Sequence, residues 1–139
     1  MSKELASKEL VFNDVIIKGI GTDLLDQRRI ANIIEKQGER FGRRILTPQE
    51  LLLWAQKANS INFVAKRFAA KEAISKALGT GIAQGIGFQQ MNIYADDLGK
   101  PLVELTGEAL NRVKALGGQD VLLSLSDDGE MIFAFAVLR

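Results

Sequence analysis

Two charged side chains, Glu72 and Lys76, are the first candidates for chemistry in this chain. They lie four positions apart in the helix-forming run 62–81, so they are neighbours on one side of the predicted helix. The ordinary interpretation is an exposed ion pair that adds a few tenths of a kcal/mol to the helix. The neighbouring Phe68 and Ala69 favour a partly buried carboxylate instead. Such a group needs a compensating cation or metal, because an unpaired buried charge costs several kcal/mol.

The helix that carries these two residues is apolar on most of its surface, which is typical of a buried helix. Bulky side chains cover one broad arc and small ones fill much of the rest: Phe63, Val64, Phe68, Ile74 and Leu78, with Ala70, Ala73 and Ala77. Arg67 and Lys71 fall inside the bulky arc. The charges of this helix are therefore placed at particular positions and not simply exposed to solvent.

The chain contains neither histidine nor cysteine. This excludes thiol nucleophiles, imidazole bases, and metal sites built from thiolates or imidazoles. Acid–base chemistry must come from carboxylates, lysines or metal-bound water. A metal site would be built from oxygen ligands, which favours Mg²⁺ or a similar hard cation bound together with phosphate.

Asp23 follows directly after a predicted strand over residues 15–22, whose glycines allow another backbone to approach closely. A helix is predicted from residue 24 to about residue 36. Asp23, or Thr22 beside it, suits the N-cap of that helix, and this local interpretation competes with a role of Asp23 in metal binding. Asp26 is predicted to be a first-turn acid.

Positive charge is concentrated between residues 27 and 46, although the net charge of the whole chain is only +1. Six basic residues oppose two acidic ones there: Arg28, Arg29, Lys36, Arg40, Arg43 and Arg44 against Glu35 and Glu39. A basic face on a nearly neutral protein indicates an anionic partner, such as nucleic acid, phosphates or an acidic protein.

The run Gly79-Thr80-Gly81 ends the long helix and allows two interpretations. One is a glycine C-cap followed by a turn. The other is a loop whose backbone amides approach a phosphate. The sequence lacks the GK[ST] of a P-loop, so the run alone does not decide between them.

The remaining patterns predict short helices and two hairpins. A helix is expected at residues 39–44, and Thr47, Pro48 and Glu50 form a capping box for the next one. The next helix contains Trp54, which we interpret as a packing residue. Further predicted elements are the start of the long helix at Asn59-Ser60, strands at 88–95 and 102–105 around a turn, a helix from Thr106 to about residue 116, and a hairpin of strands 121–126 and 131–138.

The whole chain, residues 1–139, is predicted to be one domain with an N-terminal extension at residues 1–13. We expect a cytoplasmic protein, because the N-terminus has no apolar signal core and no window is long enough to span a membrane. The final strand has bulky apolar residues on both faces, which is consistent with burial against a neighbouring subunit. These residues are Ile132, Phe133, Phe135 and Val137.

Four stretches, in this order, resemble the holo-acyl-carrier-protein synthases, a family of small phosphopantetheinyl transferases. They are IKGIGTDLLDQRRI, FVAKRFAAKEAISKALGTGI, DDLGKPLVEL and LLSLSDDGEMIFAFAVL. Together they cover the chain from about residue 16 to residue 138. The resemblance implies an α+β fold with a small antiparallel sheet packed against a long central helix and shorter helices, assembled as a homotrimer.

The same resemblance implies transfer of 4'-phosphopantetheine from coenzyme A to a serine of an apo acyl carrier protein in fatty acid biosynthesis. Asp23 and Glu72 correspond to the residues that bind Mg²⁺ in such enzymes, and the general base is either Glu72 or a metal-bound water. Lys76, Arg67 and the backbone of Gly79, Thr80 and Gly81 are expected near the phosphates. Arg29 matches the arginine that receives the acidic carrier, and further basic residues extend that surface: Arg28, Lys36, Arg40 and Arg43.

One position departs from many members, which have a histidine where this chain has Asp127. A carboxylate would repel the 3'-phosphate of coenzyme A, so no binding role is assigned to Asp127.

Two other function classes remain open. A non-catalytic module that binds coenzyme A or phosphate would keep the cations and glycines without needing Asp23 and Glu72. A basic RNA-binding domain would use the cluster at residues 28–44, but the sequence lacks the interleaved aromatic residues typical of such a domain.

Overall fold

The computed structural model describes residues 16–139, so the extension predicted at residues 1–13 lies outside the described residues. The elements follow in this order: β1 (Gly19–Asp26), α1 (Gln27–Gln37), α2 (Glu39–Ile45), α3 (Pro48–Gln56), α4 (Ile61–Ala77), a 3₁₀ turn (Phe88–Gln90), β2 (Met91–Ala95), β3 (Pro101–Leu105), α5 (Gly107–Ala115), β4 (Val121–Asp128) and β5 (Met131–Leu138). The predicted α+β class is confirmed. Among the described helices, none combines the length and the hydropathy that a membrane crossing requires.

The strands form two antiparallel sheets, one of three strands in the order β1-β5-β4 and one formed by β2 and β3. Helix α4, with 17 residues, lies against the three-stranded sheet and buries its alanines there. The inward residues of β5 include Ile132, Ala134 and Ala136, all fully buried. The core therefore lies between α4 and this sheet.

Strand β1 packs directly against the backbone of α4. A Cβ atom added to Gly19 would lie 2.0 Å from the carbonyl oxygen of Ala77, and one added to Gly21 would lie 2.0 Å from that of Ala73. No residue larger than glycine fits at either position without moving a backbone. The two glycines thus bring the strand as close to the helix as main-chain atoms permit.

The first strand is longer at its C-terminal end than the sequence predicted. It continues through Leu25 and Asp26 because all eight of its residues pair with β5, and α1 begins only at Gln27. The predictions of a helix start at residue 24, of an N-cap at Asp23 or Thr22, and of Asp26 as a first-turn acid are therefore wrong. Asp26 is the N-cap, and its carboxylate accepts a hydrogen bond from the Arg28 amide at 3.0 Å.

The other helix starts follow the sequence signals. The Thr47 hydroxyl accepts a hydrogen bond from the Glu50 amide and the Glu50 carboxylate accepts one from the Thr47 amide, so the predicted capping box is confirmed. Ser60 caps α4. Trp54 is buried and donates its indole N–H to the Ser60 carbonyl at 2.9 Å, which confirms that it is a packing residue. In the predicted strand 88–95, the first three residues form a 3₁₀ turn instead.

Candidate active site

The carboxylates of Asp23 and Glu72 lie near the contact between β1 and α4, close enough for the charge of Asp23 to raise the pKa of Glu72. Asp23 lies in the middle of the strand, opposite Ala134 of β5, and its side chain is 16% exposed. Glu72 is the residue before Ala73, whose carbonyl lies against Gly21, and Asp23 follows Gly21 by two residues. The close backbone packing at Gly21 therefore brings together two acidic side chains that are 49 positions apart in the sequence.

The pKa of the Glu72 carboxyl is raised above its usual value. Burial is the main cause, and the negative charge of Asp23 adds to it, while the cations Lys76 and Arg29 act in the opposite direction. Glu72 is thus a partly buried carboxylate beside a second one, as the apolar surroundings in the sequence indicated. A site that holds two like charges together attracts a cation or a proton.

Lys76 supplies part of the positive charge at this site. Its ammonium donates to the Thr22 carbonyl at 2.9 Å and lies 3.4 Å from an Asp23 carboxylate oxygen, while half of the side chain is exposed. Within residues 16–139 the ion pair is formed with Asp23, not with Glu72. The simple i, i+4 pair that the sequence allowed is therefore absent there, and Lys76 connects the helix to the strand.

The donor atoms of this site suit a hard divalent cation. Asp23 and Glu72 offer carboxylate oxygens, and no cluster of three or more acidic, histidine or cysteine side chains occurs in the described part of the chain. Mg²⁺ typically binds one or two carboxylates and takes its remaining ligands from phosphates and water. The raised pKa of Glu72 agrees with such a cation, since its charge would stabilise both carboxylates. The residues present therefore fit Mg²⁺.

Arg67 is not brought to this pair of carboxylates. It donates to the Ile93 carbonyl at 3.1 Å, its Nε lies 3.3 Å from Glu50, and its guanidinium stacks 4.4 Å from the ring centroid of Phe63. Five helical positions separate Arg67 from Glu72, which turns the two side chains about 140° apart around α4. Arg67 also lines a cleft of about 750 Å³ together with Lys57, Lys66 and Tyr94. The contact of Arg67 with a phosphate stays a prediction, and it requires that the phosphate bind in this cleft.

The backbone amides of Gly79, Thr80 and Gly81 close the end of α4. Gly79 donates to the Lys76 carbonyl, while Thr80 and Gly81 both donate to the Ser75 carbonyl. Both glycines have positive φ, at 80° and 64°, as a glycine C-cap requires. These three amides are already used within the protein, so the geometry favours the capping interpretation, and a phosphate contact of this loop stays a prediction.

The basic residues predicted to form an interaction surface lie on α1 and α2, and their side chains are exposed. Arg28 pairs with Asp26 at 2.6 Å, and this hydrogen bond lowers the pKa of Asp26 to about 2. Arg43 lies 3.6 Å from Glu39. The charge of Arg29 reaches Glu72, which places the start of α1 beside the carboxylate pair. The basic surface therefore borders the candidate active site.

Sequence reasoning missed one buried ion pair. The Lys71 ammonium lies 2.5 Å from a Glu50 carboxylate oxygen, and both side chains are fully buried. Burial lowers the pKa of Lys71, and the negative charge of Glu50 opposes this effect. The signal was present in the sequence, since a lysine in the bulky arc of a helix needs a buried carboxylate, but nothing in the sequence identified Glu50 as its partner.

Asp127 lies at the edge of the same cleft as Arg67. Its carboxylate accepts a hydrogen bond from the Asn62 side chain at 3.3 Å and lies 3.5 Å from the Lys66 ammonium. Both partners are on the first turns of α4 and line the cleft. The acidic side chain at this position is therefore paired with a cation.

Comparison with known proteins gives one consistent result. A profile of the 4'-phosphopantetheinyl transferase superfamily matches residues 19–128. A holo-[acyl-carrier-protein] synthase of Hydrogenovibrio crunogenus is 47% identical over 122 residues, which cover 88% of this chain and 96% of that protein. The corresponding synthase of Shewanella amazonensis is 43% identical, over 88% of this chain and 98% of its own length.

Solved structures of such enzymes have the same fold. The holo-[acyl-carrier-protein] synthase of Neisseria meningitidis superposes with a TM-score of 0.82 at 44% identity, covering 89% of this chain and 99% of its own. The Helicobacter pylori synthase, solved in complex with coenzyme A, superposes with a TM-score of 0.75 at 29% identity, covering 86% of this chain and 99% of its own.

Proposed function

Because the chain belongs to the holo-[acyl-carrier-protein] synthases of the 4'-phosphopantetheinyl transferase superfamily, we propose that it uses Mg²⁺ to transfer phosphopantetheine from coenzyme A to an apo acyl carrier protein. The group would be attached to a serine of the carrier, and adenosine 3',5'-bisphosphate would be released. The observation that carries the metal dependence is the partly buried Glu72 carboxylate beside Asp23, with its raised pKa. Transfer of a phosphate-linked group requires little covalent chemistry from the protein, which mainly positions groups and neutralises charge.

The proposed metal site consists of Asp23 and Glu72, with the remaining ligands from the pyrophosphate of coenzyme A and from water. Bound Mg²⁺ would supply positive charge to the reacting phosphate oxygens. Lys76 would stabilise the leaving phosphate, since its ammonium already lies between the strand and the carboxylate pair and its side chain is half exposed. The bond to the Thr22 carbonyl holds this ammonium at the site before substrate binds.

The proton of the attacking serine needs an acceptor, and we assign that role to Glu72. In the metal-free protein, burial and the charge of Asp23 raise the pKa of Glu72 and make its carboxylate a stronger base than a fully solvated glutamate. No histidine is present to compete for this role. The positive charges of Lys76 and Arg29 lower the pKa of Glu72 and so oppose the rise caused by burial and by Asp23.

The cleft lined by Arg67, Lys66 and Lys57 is the proposed site of the second phosphate group of coenzyme A, the 3'-phosphate. Tyr94 and Phe63 line the same cleft and offer aromatic surface to a nucleoside. Asp127 reduces the positive charge there because it pairs with Lys66. Binding of a phosphate would then have to displace Asp127 from Lys66.

The exposed basic side chains of α1 and α2 form the proposed docking surface for the acidic carrier protein. Arg29, Lys36 and Arg40 are exposed along it, and Arg29 connects it electrostatically to Glu72. A positive surface beside the reactive groups increases the rate at which an acidic partner arrives in a useful orientation. The carrier serine would reach the carboxylate pair from this side.

The outer face of the three-stranded sheet is the proposed contact between the subunits of a homotrimer. Large apolar side chains project from it and are between 37% and 64% exposed: Ile20, Leu24, Leu122, Met131, Phe133 and Phe135. A continuous apolar sheet face of this kind is expected to be covered by another protein surface. The trimer would work in the cytoplasm, in fatty acid biosynthesis.

The direct test is incubation of the protein with coenzyme A, Mg²⁺ and an apo acyl carrier protein, followed by mass measurement of the carrier. We expect a mass gain of one phosphopantetheine that EDTA abolishes. Glu72→Ala should lower turnover by at least about 100-fold, as loss of a metal ligand and base does. Glu104→Ala, an exposed substitution on β3, is the matched control and should leave turnover unchanged.

Other outcomes support the other function classes. Tight binding of coenzyme A that needs no metal, with no modification of the carrier, would indicate a non-catalytic binding module. RNA binding that weakens steeply with salt and does not respond to coenzyme A would indicate a nucleic-acid-binding domain. Near-normal turnover of Glu72→Ala would contradict the assigned role of Glu72 even if the carrier is modified.

A further inference from the structure

A buried ion pair anchors the helix that carries the proposed metal ligand. Lys71 and Glu50 are both fully buried, and the Lys71 ammonium bonds to the Glu50 carboxylate and to the Ile45 carbonyl at 2.7 Å. Lys71 immediately precedes Glu72. A charged pair inside a core is costly to desolvate, so its presence calls for an explanation other than stability.

The Glu50 carboxylate connects three parts of the fold. One oxygen accepts the Thr47 amide at 2.9 Å and the Lys71 ammonium, and the other accepts the Ile93 amide at 3.0 Å. Arg67 lies 3.3 Å from the second oxygen. The start of α3, the middle of α4 and strand β2 are therefore bonded to a single side chain.

The sheet-facing side of α4 offers little to fix the rotation of the helix. It consists largely of small buried residues, namely Ala65, Ala69, Ala70, Ala73 and Ala77. Small side chains interlock less than larger ones, so the close contacts at Gly19 and Gly21 fix the distance between strand and helix more firmly than the rotation of the helix. A hydrogen bond from Lys71 to a fixed acceptor has one preferred direction and thus selects one rotation.

We infer that the Glu50–Lys71 ion pair is a positioning device that sets the rotation of α4 and thereby directs Glu72 towards Asp23. Consecutive helical residues point about 100° apart, so fixing the direction of Lys71 fixes that of Glu72. The pair is fully buried and lies outside the proposed metal site, so its effect on the reaction would pass through Glu72. This inference rests on the proposed function, because it assumes that the metal bound by Asp23 and Glu72 is used.

The test replaces both charges with apolar side chains of similar length, in the double variant Glu50→Met with Lys71→Met. Such replacements of buried ion pairs often leave stability unchanged or increase it. Here, however, the buried amides of Thr47 and Ile93 also lose their acceptor, so we expect a folded protein with a lower midpoint of thermal unfolding than the natural chain. Binding of Mn²⁺ in the presence of coenzyme A, followed by electron paramagnetic resonance, should be weakened about ten-fold, at the lower end of the losses found for residues that orient metal ligands.

The kinetic readout separates positioning from folding. The double variant should have a lower kcat and a higher Mg²⁺ concentration for half-maximal rate, with an unchanged KM for the carrier protein. The matched control is Ile74→Val, a fully buried substitution on the same helix that costs about 1 kcal/mol of stability without touching the ion pair. This control should bind Mn²⁺ as the natural protein does.

Natural affinity for Mn²⁺ and natural kcat in the folded double variant would overturn the inference. If the double variant does not fold, Lys71→Met decides, because it removes the ion pair but leaves Glu50 bonded to the amides of Thr47 and Ile93 and next to Arg67. Weakened Mn²⁺ binding by this variant supports the positioning role, and natural binding overturns it. Failure of the proposed function is a different result, in which the natural protein itself neither binds the metal with coenzyme A nor modifies the carrier.

Discussion

At the scale of single residues, the Glu72 carboxylate should destabilise the metal-free protein at neutral pH. Its pKa is raised in the folded state, so the folded protein binds a proton more tightly there than the unfolded chain does. The free energy of unfolding therefore falls as the pH rises through the range in which Glu72 loses its proton. Glu72→Gln removes the charge and should stabilise the metal-free protein by about 0.5 kcal/mol near pH 8, a size typical of half-exposed charges.

This gain should disappear below about pH 4, where glutamate is protonated in both states. Urea unfolding of Glu72→Gln and of the natural protein in EDTA, at several pH values, measures this difference in the free energy of unfolding. A gain that grows as the pH falls would contradict the assignment of the raised pKa to Glu72. With Mg²⁺ and coenzyme A present, the order should reverse, because the natural protein gains the binding free energy and the variant does not.

The sequence predicted the partial burial of Glu72 correctly. Its apolar neighbours indicated a partly buried carboxylate, and burial is the main cause of its raised pKa in the structure. The partner of Lys76 was not predictable, because the bond to Thr22 depends on how closely a strand distant in sequence approaches the helix. The Lys71–Glu50 pair was missed for the same reason, since local periodicity shows which side chains turn inward but not what they meet.

At the scale of secondary structure, the contact between β1 and α4 should not tolerate a larger residue than glycine. Gly21→Ala would place a Cβ 2.0 Å from the Ala73 carbonyl oxygen, so it should destabilise the fold by about 3 kcal/mol or more. Gly87→Ala is the matched control, because its φ is −132° and no atom lies within 4 Å of the added Cβ. It should change the free energy of unfolding by no more than about 0.5 kcal/mol.

Denaturant unfolding of both variants provides the measurement. Equal stability of Gly21→Ala and the natural protein would mean that strand and helix are further apart in solution.

The boundaries of the first strand could not be predicted from local sequence. The strand extends to Asp26 because β5 supplies eight partners for it, and pairing with a distant strand leaves no local mark in the residues 23–26.

Helices α1 and α2 should determine the affinity for the carrier protein. Reversing two charges, in Lys36→Glu with Arg40→Glu, should raise the KM for the carrier about ten-fold or more at low salt and leave coenzyme A binding unchanged. The expected effect becomes smaller as the salt concentration rises. Lys114→Glu, an exposed reversal on α5, is the control. Equal effects of the two changes would indicate a general response to net charge instead of a docking surface.

At the scale of the whole molecule, the exposed apolar face of the sheet should hold the subunits together. Leu24→Glu changes a side chain that is 64% exposed in a single subunit, so folding of the subunit should not suffer. The added charge would be buried in a trimer, and we expect monomers by light scattering after size-exclusion chromatography. Leu52→Glu, at 69% exposure on α3, is the control and should stay trimeric. A natural protein that is monomeric at micromolar concentration would refute the trimer.

The fold as a whole was easier to predict than its assembly. Strong local signals such as Thr47-Pro48 and the hairpin around Gly129 are confirmed in the structure. The sequence placed bulky apolar side chains on both faces of the final strand, and the structure buries Ile132 while Phe133 and Phe135 stay partly exposed. In the proposed trimer a neighbouring subunit would cover them, and no local pattern in the chain specifies that surface.

The glycine and alanine contact between strand and helix also limits how the protein can change. Main-chain atoms meet there, so a substitution can increase the spacing between the two carboxyl-bearing backbones but cannot reduce it. A preference for a smaller ion therefore cannot come from a shorter spacing between the two backbones. Any such change would have to come from the acidic residues themselves, for example by shortening Glu72 to Asp. We therefore expect laboratory selection for another metal to alter the ligands and leave their backbone support untouched.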